Sequence, residues 1–266
     1  MDNNKKTGVA EQVNIGENAE KKPSGKKGSR SRSIEMMFRP VFDVSLNMAI
    51  DFEASIRIYD RLMGVMLPEY YLPVAEKSNQ ICELNRWSVE EACDAMIRCE
   101  KREADINCVI LPLSVKYLAK NYFLSQVTKI VEKKDIAPDK ICFNIDESIL
   151  EYQKDAAIAN IKEAREYGFL VSIDDLGVEF TSMSNLAQYE VDYLGLDSVL
   201  IKGVLEDEKL QNRLQGIIEF ANKVGMKVRA DGVDSVEIAE LLKKFGVMQM
   251  KGELYGKPLH ERMIKI

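Results

Sequence analysis

Carboxylate side chains recur where short β-rich segments of this sequence end. The paired Asp174 and Asp175, Asp197 and Asp231 each follow such a segment, and Glu53 lies inside another. Carboxylates that meet at one rim repel one another unless they share protons or a cation, so this ring favours a Mg2+, Mn2+ or Ca2+ site. Capping of the helices that follow is the alternative reading, and it is the more common role for any single Asp. The double Asp in SIDDLG is harder to explain by capping.

The remaining residue types argue against several other kinds of chemistry. The single histidine, His260, excludes a multi-histidine metal site and argues against a Ser-His triad. The five cysteines show no C-x-x-C spacing, which indicates free buried thiols rather than disulfides or a zinc site. Residues 1–34 carry eight Lys/Arg against four Asp/Glu, whereas the rest of the chain has 29 against 39. An acidic body of this kind disfavours specific nucleic-acid binding.

The elements that must position the carboxylates alternate along the chain. Short β-rich runs and helical patterns follow one another, which is typical of βα units. The predicted strands are 36–43, 49–58, 106–113, 140–145, 169–174, 191–197, 226–231 and 247–250. Helical apolar spacing predicts helices over 84–103, 154–167, 207–224 and 235–245. Glycines at 168, 225 and 246 are expected to cap three of them.

Eight strands of this kind predict an α/β fold, a TIM-like (β/α)8 barrel. Only residues 45–47 connect the first two strands, which is too short for a helical crossover, so the first strand is predicted to be antiparallel. In such a barrel the reactive end lies at the carboxyl ends of the strands. The acidic residues are therefore expected to meet at one mouth.

The first 33 residues differ in composition from the rest of the chain. They are rich in Asn, Lys, Gly and Ser and end in KKPSGKKGSRSRS, which predicts a disordered basic tail before a single barrel domain over 34–266. No segment approaches the ~20 uninterrupted apolar residues that a membrane helix needs. The protein is accordingly predicted to have no membrane span and to be cytoplasmic.

Several motifs resemble, in order and spacing, those of the EAL-domain family of cyclic di-GMP phosphodiesterases. They lie within residues 36–259 and read FRPVFDV, DFEASIR, YYLPVAEKSNQICELNRWSVEEAC, SIDDLG, YLGLDSVLIKG, RADGVDS and MKGELYGKPL. The resemblance implies a two-metal centre that, in active members, cleaves cyclic di-GMP to linear pGpG. It assigns metal binding to Glu53, Asp174, Asp175 and Asp197, and a ligand phosphate contact to Arg57.

The family's pattern is altered at four positions of the expected centre. Pro112 stands in place of a metal-binding asparagine, and Asn144 in place of a metal-binding glutamate. Gly195 replaces a catalytic lysine, and Asp231 replaces a glutamate with a side chain one methylene shorter. Because such groups act as a unit, the loss of one is already severe. The departures predict that no catalytic residue is retained and that any metal site is vestigial or weak.

Two cations stand where the family has neutral glutamines. Arg39 and Lys251, together with Arg57, are therefore the candidate ligand-binding residues. The leading hypothesis is a degenerate EAL-like regulator in cyclic di-GMP-linked signalling that acts through an unidentified regulatory protein partner. The alternatives are a non-hydrolysing cyclic di-GMP receptor and an active metal-dependent phosphodiesterase. No cofactor is expected, and Mg2+ or Mn2+ is the candidate if any metal is bound.

Overall fold

The computed structural model describes residues 32–146, 154–176 and 190–265, and within these ranges the strands close into a barrel. The ten strands are β1 (Arg32–Asp43), β2 (Met48–Asp60), β3 (Gly64–Met66), β4 (Cys108–Leu113), β5 (Ile141–Asp146), β6 (Leu170–Leu176), β7 (Tyr193–Leu196), β8 (Lys227–Ala230), β9 (Gln249–Met250) and β10 (Leu259–His260). Closure follows because β1 pairs with both β2 and β9. The barrel consists of β1, β2 and β4–β9, while β3 and β10 pair with β2 and β1 outside it.

Helices follow most of the barrel strands and cover their outer faces. They are α1 (Pro68–Ser78), α2 (Gln80–Glu100), α3 (Val115–Leu118), α4 (Phe123–Lys134), α5 (Lys154–Tyr167), α6 (Ser198–Ile201), α7 (Glu208–Lys223) and α8 (Val236–Lys244), with short 3-10 helices over Pro138–Lys140 and Glu261–Met263. The four predicted helices correspond to α2, α5, α7 and α8. The glycines at 168, 225 and 246 have φ values of 115°, 86° and 95°, which confirms the predicted left-handed caps.

The direction of the strands confirms the predicted fold. Neighbours are parallel from β2 and β4 around to β8 and β9, whereas β1 is antiparallel to β2 and β9. The turn that reverses the chain after β1 is stabilised by Asp43, whose Oδ1 accepts hydrogen bonds from the backbone N–H groups of Ser45 and Leu46 at 2.8 and 3.1 Å. The eight predicted strands are the eight strands of the barrel.

A polar network inside the barrel connects several strands below the mouth. Arg229 is 2% exposed, and its Nε and Nη2 donate to Gln249 Oε1 at 3.1 and 3.0 Å. Its guanidinium lies 4.4 Å from the ring centroid of Tyr193, a cation–π contact. Gln249 Nε2 in turn donates to Asp51 Oδ2 at 2.8 Å. These contacts tie β2, β7, β8 and β9 together one layer below the residues that form the candidate site.

Other predictions meet the structure in part. The five cysteines are free thiols, of which four are buried and Cys82 is half-buried. None of the helices in the described part of the chain combines the length and apolar character needed to cross a membrane. The predicted tail lies outside the described residues except for its last two positions, which belong to β1.

Candidate functional site at the barrel mouth

Each of the eight barrel strands contributes one residue, from within the strand or just past its end, to a set at the end of the barrel where the parallel strands finish. This mouth ring consists of Arg39, Glu53, Pro112, Asn144, Asp174, Gly195, Asp231 and Lys251. It contains all four positions at which the resemblance predicts an altered site, Pro112, Asn144, Gly195 and Asp231. It also contains two of the predicted metal ligands and two of the predicted ligand-binding cations. The barrel geometry thus brings together residues that lie more than 200 positions apart in the chain.

The Lys251 ammonium lies among three carboxylates of the mouth ring. Its Nζ is 2.6 Å from Glu53 Oε1, 3.4 Å from Asp231 Oδ2 and 3.5 Å from Asp174 Oδ2. The side chain is only 6% exposed. Burial by itself lowers the pKa of the Lys251 ammonium, but the charges of the three carboxylates outweigh burial, so that the pKa is raised above its usual value. The ammonium is therefore charged at neutral pH.

A second cation neutralises the same part of the ring. Arg39 Nη1 lies 3.0 Å from Asp231 Oδ1 and 3.2 Å from Asp231 Oδ2. The backbone N–H of Gly232 also donates to Asp231 Oδ1, at 2.6 Å. Two of the three cations that the sequence predicted for ligand binding, Arg39 and Lys251, thus contact carboxylates of the ring. The ring's formal charge is −1, from three carboxylates and two cations.

Asn144 turns a hydrogen-bond donor toward Asp174. Ser172 Oγ donates to Asn144 Oδ1 at 2.6 Å, which directs the amide nitrogen the other way. Asn144 Nδ2 then donates to Asp174 Oδ2 at 2.8 Å. Asn144 therefore presents N–H groups to Asp174, and an N–H group cannot coordinate a metal.

The missing side chain at Gly195 makes room for the Asp174 carboxylate. An ideal Cβ on Gly195 would lie 1.9 Å from Asp174 Oδ1 and 2.5 Å from its Cγ, far inside van der Waals contact. Asp174 Oδ1 is buried and has no hydrogen-bond partner among the described residues. The orientation of Asp174 thus depends on a glycine at position 195.

The structure places other predicted site residues away from this cluster. Asp197 caps α6, because its Oδ1 accepts a hydrogen bond from the Val199 N–H at 2.6 Å, as the capping alternative describes. Arg57 lies on β2 four residues beyond Glu53, roughly 13 Å along the strand. In the antiparallel pair of β1 and β2, it lies opposite Glu35 of β1. The side chain of Asp175 lies outside the described residues.

A cavity of about 790 Å3 opens above the mouth ring. Its outer wall is apolar and comes from α1, α2 and the end of β4, including Leu72, Ile81 and Leu113. Glu76 and Lys116 also line it, and Lys116 Nζ donates to the Glu76 backbone carbonyl at 2.6 Å. Neither residue was predicted from the sequence to belong to the site. The signal that could have found Lys116 is its place just after a strand end, where barrels carry functional loops.

In this arrangement the described residues do not fit a divalent metal ion. The carboxylate oxygens of Glu53, Asp174 and Asp231 that face the centre of the ring are in contact with Lys251 Nζ. Pro112 has no side-chain ligand atom, and the oxygen of Asn144 is bound to Ser172. No group of three or more His, Cys, Asp or Glu residues within 32–146, 154–176 and 190–265 is arranged to hold a metal ion.

Comparison with known proteins identifies the family. The family model described as the EAL domain matches residues 26–258, so the chain belongs to the EAL domain family. Among curated proteins, the cyclic di-GMP phosphodiesterase PdeR of Escherichia coli K12 is 24% identical over 207 residues, which are 78% of this chain and 31% of that protein. The oxygen sensor protein DosP of the same organism is 23% identical over 88% of this chain and 29% of its own length. The chain spans about a third of the length of these relatives.

Solved structures share the barrel. A structure titled PaMucR phosphodiesterase, c-di-GMP complex, has a TM-score of 0.79 with 23% identity and covers 87% of this chain and 94% of that one. The FimX EAL domain from Pseudomonas aeruginosa bound to c-di-GMP has a TM-score of 0.78 with 16% identity, covering 85% and 91%. At these identities the likeness supports the fold.

Proposed function

We propose that this EAL domain is a non-hydrolysing regulator in cyclic di-GMP-linked signalling that acts through a protein partner. The observation that carries the proposal is the contact between Asn144 and Asp174, in which an amide N–H faces the carboxylate at 2.8 Å. Metal-dependent hydrolysis needs oxygen ligands around the ion, whereas this position supplies a donor.

The other altered positions support the same proposal. Pro112 cannot coordinate a metal, and Gly195 carries no ammonium that could stabilise negative charge on a reacting phosphate. Asp174 also occupies the space that a side chain at 195 would need. Since catalytic groups act as a unit, deficits at three of them leave little hydrolytic activity to expect.

An apolar surface outside the mouth supports a partner-binding role. Large apolar side chains are exposed on the turn between β2 and β3 and along the adjoining α1. Leu62 is 82% exposed, Met63 65% and Tyr70 68%. Clusters of this kind on a folded domain are more typical of interaction surfaces than of ordinary solvent-facing surface.

A cyclic di-GMP receptor is the second candidate, and the cavity above the mouth ring favours it. The cavity combines an apolar wall, against which a base could pack, with the cation Lys116. The PaMucR and FimX structures are complexes with c-di-GMP, and their barrels resemble this one. Lys251 and Arg39 add little attraction for phosphate, because carboxylates of the ring already neutralise them.

Calorimetry and product analysis with cyclic di-GMP distinguish these functions. The purified chain is titrated with the nucleotide with and without Mn2+, and the mixture is then analysed for pGpG. We expect no pGpG. Release of pGpG at a rate that depends on Mn2+ and on Glu53 would establish the third function, an active phosphodiesterase, and would overturn the proposal.

The same titration separates the receptor from the partner-binding regulator. Binding without turnover favours the receptor, whereas absence of both favours action through a protein partner. The resemblance assigns the phosphate contact to Arg57, although Arg57 does not line the cavity. Nucleotide binding through that contact is predicted to be lost in Arg57→Ala but kept in the matched variant Arg61→Ala, which removes an exposed arginine from the neighbouring turn. Undiminished affinity in Arg57→Ala would show that the phosphate contact is assigned to the wrong residue.

A further inference from the structure

The cation at the centre of the mouth ring is part of the chain itself. Lys251 follows β9, whereas the carboxylates of Glu53 and Asp174 belong to β2 and β6 and that of Asp231 follows β8. A lysine ammonium has three N–H donors, and three carboxylates lie within 3.5 Å of Nζ. Three acidic groups from different strands thus converge on one positive charge, as they would on a bound ion.

We infer that the Lys251 ammonium replaces a bound divalent cation at the barrel mouth, and that Lys251→Gln opens a divalent-cation site between Glu53, Asp174 and Asp231. This inference concerns which cation the mouth holds. It does not depend on whether the protein binds or hydrolyses cyclic di-GMP.

The ammonium and a divalent ion exclude each other at this position. Mn2+ or Mg2+ would need the same oxygens, at about 2.1 Å for Mg2+. An ion there would lie next to the ammonium, and the two like charges would repel each other. Because only 6% of the Lys251 side chain is exposed and its ammonium contacts three carboxylates, the ammonium could make way for an ion only by giving up those contacts.

Removal of the ammonium would leave the carboxylate oxygens that contact Nζ without their cation, and the Asp174 carboxylate has a further oxygen, Oδ1, on the side of Gly195. Asp174 Oδ1 is buried and has no hydrogen-bond partner among the described residues. Glutamine at position 251 would bring a neutral amide whose oxygen is a possible ligand, in place of a positive charge. The charge of the ring would fall from −1 to −2, which further favours a divalent ion.

The test is a titration with Mn2+ alone. Wild type, Lys251→Gln and the matched control Lys116→Gln, which removes a different lysine of the same cavity, are titrated by calorimetry and by the electron paramagnetic resonance signal of free Mn2+. Thermal unfolding is recorded with and without Mn2+. A double variant, Lys251→Gln with Glu53→Gln, tests whether bound Mn2+ occupies the ring.

We expect Lys251→Gln to bind one Mn2+ at least about tenfold more tightly than wild type, and to unfold at a higher temperature when Mn2+ is present. Lys116→Gln should behave as wild type, and Glu53→Gln should remove the new site. Equal Mn2+ affinity in wild type and Lys251→Gln would overturn the inference.

If Lys251→Gln does not fold, Mn2+ titration of the wild type still tests the inference. Saturable binding of Mn2+ to the wild type that disappears in Glu53→Gln would show that the mouth accepts a metal in the presence of Lys251, and would overturn the inference. A wild type without such binding supports it. Neither result is a measurement of pGpG, so the outcome is separate from that of the proposed function.

Discussion

Replacement of Lys251 by methionine removes the ammonium from the mouth ring and keeps a side chain of similar length. Three carboxylates then remain close together with side-chain exposures of 18% for Glu53, 13% for Asp174 and 29% for Asp231. Removal of one partner from a buried ion pair typically costs about 3–5 kcal/mol, because the other charge is left uncompensated. Arg39 still neutralises Asp231, and water reaches part of the ring. We therefore expect Lys251→Met to lower the free energy of unfolding by an amount near the lower end of this range, about 3 kcal/mol at pH 7.

Urea denaturation measures this loss, with the fluorescence of Trp87 and circular dichroism as signals. Free energies are compared at a common m value, so that a change in midpoint reports a change in stability. Lys116→Met is the matched control. It removes one hydrogen bond to a backbone carbonyl and should cost no more than about 1 kcal/mol.

A double-mutant cycle tests the electrostatic cause. Glu53→Gln removes the carboxylate closest to the ammonium, at 2.6 Å. In the Lys251→Met background the same change relieves repulsion within the ring, so the double variant should be more stable than the sum of the two single losses predicts, by at least about 1 kcal/mol. A Lys251→Met variant within about 0.5 kcal/mol of wild type, the range of an ordinary surface substitution, would refute the reasoning.

Three further predictions concern packing, pH and thiol reactivity. Gly195→Ala should lower the free energy of unfolding by about 1–3 kcal/mol, because the added Cβ would lie 1.9 Å from Asp174 Oδ1. In Gly216→Ala, in α7, the added Cβ meets no atom within 4 Å, so this variant should raise the free energy of unfolding by up to about 1 kcal/mol. Urea denaturation that ranks the two variants in the opposite order would contradict this prediction. Because the pKa of Lys251 is raised in the folded state, the stability that it contributes is complete below the pKa of an unfolded lysine, about 10.4, and is lost as the pH rises through the folded value. The difference in free energy of unfolding between wild type and Lys251→Met should therefore narrow above about pH 10.4. A difference that widens there would contradict a raised pKa of Lys251 in the folded state. Among the thiols, half-buried Cys82 should react first with a disulfide reagent in the native protein, and the four buried thiols should react only when the protein unfolds. Rapid labelling of more than one thiol in the native protein would be inconsistent with this burial.

The barrel could be predicted from the sequence because its signals are local. Short β-rich runs located all eight barrel strands, and the glycine at position 168 marked the end of a helix because of its left-handed φ. The three-residue connection at 45–47 predicted an antiparallel β1, since so short a link leaves no space for a crossover. Helix α1 was not predicted, and it contains Pro73, a residue that usually ends helices.

The acidic residues of the mouth could be located as strand ends, but their individual roles could not. Asp197 and Asp231 occupy similar places in the sequence pattern, yet one caps α6 and the other contacts Lys251. Lys251 was predicted from the sequence to be a ligand-binding cation, and the structure places its ammonium against three carboxylates. Which group an ionised side chain contacts depends on strands distant in the chain, so spacing alone does not reveal it.

The sequence by itself determined the barrel, its antiparallel first strand and membership of the EAL family, because hydrophobic periodicity, turn length and motif order are properties of neighbouring residues. Only the tertiary structure decided where the ammonium of Lys251 lies, which way the amide of Asn144 points and why position 195 is a glycine. Those features arise from closure of the barrel, which brings β2, β5, β6 and β7 to the same mouth as β8 and β9 and sets the distances on which electrostatic contacts depend.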